Sequence, residues 1–84
     1  MLHTKPIHEI RLGNIRAAIW ENRSRTSDVW LAVTVSRLYN DGTRWKDSSS
    51  FRRDDLPVVA KITEMAYAWI WDRESASKHA SNGP

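Results

Sequence analysis

The chain has 84 residues, five tryptophans, no cysteine and a formal net charge of +3. That length suits one domain with a small core, and the lack of cysteine excludes disulfides and thiolate metal sites. No apolar run approaches the roughly 18 residues of a membrane span, and the start MLHTKPIHEIRLG has no apolar signal-peptide core, so a cytoplasmic protein is expected.

The charge is unevenly placed, since residues 1 to 53 carry ten Lys or Arg against five Asp or Glu, and residues 54 to 84 carry three against five. A mild basic balance suits nucleic acid, an acidic protein or an anionic surface, and does not choose among them.

Residues 1–6 are polar, close on Pro6 and read as a flexible arm. IHEIRL then alternates, Gly13-Asn14 offers a turn, and IRAAIWEN places Ile15, Ala17 and Ile19 on one face with Arg16, Ala18 and Trp20 on the other. A polar loop, RSRTSD, leads to the clearest strand, VWLAVTVSRLYN. There Val29, Leu31, Val33, Val35, Arg37 and Tyr39 face one way and Trp30, Ala32, Thr34, Ser36 and Leu38 the other. Its twelve residues exceed the usual strand of about five or six, so the strand is expected to bend, to bulge or to pair beyond its own subunit. Asn40-Asp41-Gly42 is a turn signal joining it to TRWKDSSSF, a strand weakened by three serines.

After Asp54-Asp55 the period becomes helical over LPVVAKITEMAYAWIWDRE, with Leu56, Val59, Ile62 or Thr63, Ala66, Trp69 or Ile70, and Arg73 at matching spacing. An aspartate cap puts Pro57 in the first turn, where its missing N–H costs little. The expected fold class is α+β, a four-stranded antiparallel sheet followed by one C-terminal helix, β-β-β-β-α, in a single domain over 7–73 with a disordered tail over 74–84. The helix is apolar over more than one narrow stripe, and its surplus suits a homodimer held through Val59, Ile62, Met65, Ala66, Trp69 and Ile70.

The segments KPIHEIRLGNIRAAIWEN, SRLYNDGTRWKDSSSF, RRDDLPVVAK and AYAWIW together resemble a family of small plasmid-encoded bacterial proteins of the Xanthomonas type. The resemblance spans nearly all of residues 5–71. It implies an intertwined homodimer with a DNA-binding, transcription-regulatory role. More distantly, the element order is similar to the single-stranded-DNA-binding transcriptional coactivator fold, which implies a curved basic sheet as the binding surface. Arg52 departs from the family pattern, where a glycine is more usual before Arg-Asp-Asp-Leu.

The candidate nucleic-acid contacts are Arg16, Arg37, Arg44, Lys46, Arg52 and Arg53 for phosphates, with Trp20, Trp30 or Trp45 for stacking, and Lys5 and Arg11 in second place. Strict alternation puts Arg44 and Lys46 on one face and Trp45 on the other, so one flat site cannot hold them all without a bulge. A tryptophan in an alternating strand is more often a core or interface residue than a base platform. Arg52 and Arg53 either grip phosphate or balance Asp54 and Asp55. His3, His8 and His79 make no metal pattern, the serine run lacks a histidine base, and no phosphate loop is present. The expectation is a cytoplasmic, non-enzymatic DNA-binding homodimer with no cofactor and no membrane partner. The alternatives are a module for an acidic protein, or an RNA-binding module.

Overall fold

The computed structural model describes the backbone of residues 5–82 and the side chains of residues 5–75. Strands β1 (His8–Leu12), β2 (Ile15–Arg23), β3 (Val29–Asn40) and β4 (Trp45–Ser48) form one antiparallel sheet in sequence order. A single 3₁₀ turn at Arg53–Asp55 leads into helix α1 (Leu56–Asn82). The expected β-β-β-β-α order is therefore observed.

Local chemistry explains each junction. Gly13, at φ 62°, takes the first central position of the two-residue β1–β2 turn, a left-handed conformation that side chains resist. Ser24 closes the β2–β3 loop, its hydroxyl oxygen accepting the amides of Thr26 and Asp28 at 3.2 and 3.1 Å. At the β3–β4 turn the Asp41 carboxylate accepts the Thr43 and Arg44 amides at 2.9 and 3.0 Å and the Thr43 hydroxyl at 2.8 Å. β4 ends at Ser48 because the Ser48 hydroxyl turns back to accept the Ser50 amide at 3.0 Å, offering the backbone an alternative to the ladder.

The register assigns the two faces. Ile10, Ala17 and Val35 lie abreast, as do Leu12, Ile15 and Arg37, and this parity faces α1. The buried core on that side is Ile15, Ala17, Ile19, Ile62 and Ala66, with Ile10, Leu12, Val35, Phe51, Val58 and Val59 packed around it. Burying each isoleucine contributes about 2 kcal/mol, so this core is modest for the chain's length. The helix lies mainly over β1 and β2. Val29 and Val33 on β3 share the helix-facing parity but stay 46% and 38% exposed.

The ends of the chain compare with the sequence reading as follows. α1 continues to Asn82, through the stretch expected as a disordered tail from residue 74, because no glycine or proline interrupts the chain before Gly83-Pro84. The flexible arm expected over residues 1–6 falls partly outside the described residues, which begin at Lys5, and so does the very end of the tail.

Candidate nucleic-acid interface

The face of the sheet away from α1 carries the other parity: Glu9 and Arg11, then Arg16, Ala18, Trp20 and Asn22, then Trp30, Ala32, Thr34, Ser36 and Leu38, then Trp45 and Asp47. Three of the five tryptophans thus share one open face. Trp30 is 50% and Trp45 66% exposed. By strand rise they stand about 30 Å apart, Trp30 near the β2–β3 loop and Trp45 opposite Asn40 at the far end.

Trp20 is placed differently. It sits across from Ala32 and donates its indole N–H to Thr34 Oγ1 at 2.9 Å. Thr34 is the partner of Ala18, so the indole crosses the Ala18 position, and Ala18 is buried even though it belongs to the open face. Trp20 roofs the sheet there and is half-buried itself.

Arg16 lies at the centre of an ionic row. Its guanidinium reaches across β3, past the small Ser36, to Asp47 at 3.0 Å, and its other end lies 3.9 Å from Glu9. Arg16 Nε is buried without a hydrogen-bond partner among the described residues. The open face carries Glu9 and Asp47 against Arg11 and Arg16, so its charge balances. Its aromatic content is what sets it apart.

The remaining candidates fall elsewhere. Arg37 and Lys46 belong to the helix-facing parity. Arg37 donates to Ser50 O at 3.1 Å and lies 3.7 Å from Asp55, while Lys46 pairs with Asp41 at 3.0 Å. The Asp41 carboxyl is held well below the usual carboxylate range, by the Thr43 amide first, then the Arg44 amide, then the Lys46 ammonium and the Thr43 hydroxyl. Arg44 lies in the turn itself. Arg53 pairs with Asp54 at 3.3 Å with both side chains almost fully exposed, a contact of little energetic weight. The Asp55 carboxylate accepts the Arg52 amide at 2.9 Å, leaving the Arg52 side chain without an ion pair among the described residues. Of the nine first-rank candidates, then, Arg16, Trp20, Trp30 and Trp45 share the open face, Arg37 and Lys46 lie on the other side, and Arg44, Arg52 and Arg53 sit at the periphery.

Sequence reading passed over Arg23 and Arg25, which flank the β2–β3 loop near Trp30 and have no ion pair among the described residues. Their run in RSRTSD was the available signal. It also passed over Tyr67 in α1. Among the residues named for a dimer contact, Ile62 and Ala66 are fully used in the chain's own core, and Val59, Met65, Trp69 and Ile70 are half-buried. Trp69 stacks on His8 at 4.5 Å and 6°, with the Arg73 guanidinium 5.4 Å from its ring centre. Among the described residues, the large apolar groups α1 leaves exposed are Leu56, Tyr67 and Trp71, the last two as an aromatic pair 6.1 Å apart.

Among the described residues no group of three His, Cys, Asp or Glu side chains is arranged to hold a metal ion, and no helix is long and apolar enough to cross a membrane. No family model, curated protein or solved structure matches the chain.

Proposed function

We propose that this protein is a cytoplasmic, non-enzymatic DNA-binding homodimer, a small transcriptional regulator that meets DNA with the open face of its sheet. The observation that carries the reading is the pair of exposed tryptophans, Trp30 and Trp45, on a face no helix covers. Arg25, in the β2–β3 loop, lies beside one end and Arg44, in the β3–β4 turn, beside the other. Guanidinium groups at the rim neutralise phosphates, and each indole plane offers about 1–3 kcal/mol of base stacking. The basic sheet first expected becomes in this reading an aromatic face with a basic rim. The intertwined homodimer belongs to the same reading, each helix lying against the partner's sheet as well as its own.

Equilibrium binding to labelled single-stranded DNA, duplex DNA and RNA at several salt concentrations tests this. DNA affinity should fall steeply with salt, and the Trp30→Ala, Trp45→Ala double variant should lose about tenfold or more while staying folded. Folded wild-type protein with no affinity for any of the three at low salt would remove the reading.

A further inference from the structure

The sheet's outer edges differ in how they end. β1 and β4 are short and carry Glu9 and Arg11, and Lys46 and Asp47, the usual devices that discourage strand-to-strand association. β3 is twelve residues long, yet β4 pairs only with Arg37–Asn40. From Val29 to Ser36 its outer edge has no backbone partner among the described residues. That segment, VWLAVTVS, contains no charge and no proline.

The direction of its backbone groups follows from two hydrogen bonds. The Leu38 amide donates to Asn14 O on the β2 side, and the Ile7 amide donates to Ile19 O, so Ile19, which faces Val33, spends its carbonyl on β1. Peptide groups alternate along a strand, so the amides and carbonyls of Val29, Leu31, Val33 and Val35 point outward. These residues also have helix-facing side chains, and Val29 and Val33 are left half-covered.

We propose that this edge is the seam of the homodimer, pairing antiparallel with the same segment of a second copy about a two-fold axis at Ala32. The proposal rests on the homodimer part of the reading above and specifies where the copies join. Centring on Ala32 uses all four outward residues: Val29 meets the partner's Val35, and Leu31 meets the partner's Val33, each pair exchanging two backbone hydrogen bonds. A two-fold axis normal to the sheet keeps both helices on one side. Each copy therefore brings the apolar surface the other lacks: a half-covered floor at Val29 and Val33, and a helix whose Leu56, Tyr67 and Trp71 are unspent in its own chain. The modest core gives the chain a standing need for such burial, and a copy of itself is the partner always present. A foreign strand would satisfy the edge but bring no matching helix.

The chain has no cysteine, so single cysteines report cleanly. At the seam Ala32 faces itself in a pair whose Cα atoms are about 4.5 Å apart, within disulfide range. Ser36 would stand about 25 Å from its own copy. Under glutathione disulfide, Ala32→Cys should give the covalent dimer at least about tenfold faster than Ser36→Cys. Val33→Lys, which buries a charge at the seam, should stay folded by circular dichroism and turn monomeric by light scattering. Wild-type dimer with no Ala32→Cys disulfide, but with cross-linking through Tyr67→Cys, would overturn the seam and keep the homodimer. A Val33→Lys variant that remains dimeric would also overturn it. Folded wild-type protein that is monomeric at every concentration would overturn both.

Discussion

Asp41 gathers three donors from its own turn and a fourth, the Lys46 ammonium, from the strand that follows. All favour the ionised carboxylate, which is why its pKa is depressed. A group whose folded pKa lies below its unfolded one contributes stability that is complete above the unfolded value, about 3.9. That contribution is lost as pH falls through the folded value. The β3–β4 turn should thus survive acidification through the range where ordinary aspartates titrate. The Thr43 and Arg44 amide resonances, followed by NMR from neutral to strongly acid pH, should move only below that range. Movement near pH 4 with the other carboxylates would contradict the proposed role of Asp41. At this scale the sequence was informative, since Asn-Asp-Gly announces such a turn. The partners of distant charges were not legible: Arg16 meets Asp47 from 31 positions away, and Arg37 meets Asp55 across the β4 crossover.

Between elements, the pairing of Arg37 with Asp55 ties the start of α1 to β3, while the neighbouring Arg53 and Asp54 pair in open solvent. The two aspartates look alike in sequence and should behave differently. Asp55→Ala removes the acceptor of the Arg52 amide and leaves Arg37 short of its carboxylate, so it should cost about 1–3 kcal/mol. Asp54→Ala should cost less than about 0.5 kcal/mol. Urea unfolding of both variants at one protein concentration checks this, and equal losses would mean that the tether does not hold the helix. The order of elements was legible because Gly13-Asn14 and Asn40-Asp41-Gly42 separate runs of period two, and because the period changes after Asp55. Side-chain parity along β2 and β3 was legible too. Which parity lies beneath the helix was not, and that decides which set, Arg37 with Lys46 or Arg16 with Trp45, stays on the open face. It depends on how the crossover through Ser49–Arg52 passes over the sheet, with Phe51 set into the core, and no local pattern encodes that path.

For the whole molecule, the mismatch between a twelve-residue β3 and a four-residue β4 matters most. If two copies close that edge, the native state is a dimer that urea must separate as well as unfold, so stability depends on concentration. Each tenfold dilution should then cost about 1.4 kcal/mol, and the urea midpoint should fall between two concentrations a hundredfold apart. Coincident midpoints would place folding within the single chain. The strand's length was readable as an excess, but its uncharged free edge emerges only once β4 is seen to stop at Ser48. A further consequence concerns abundance. A chain that relies on its twin to cap a strand is safest when plentiful, because a scarce copy keeps an open template on which any extended peptide can settle. Dilution, usually a remedy for aggregation, would be the condition under which this protein captures the wrong partner.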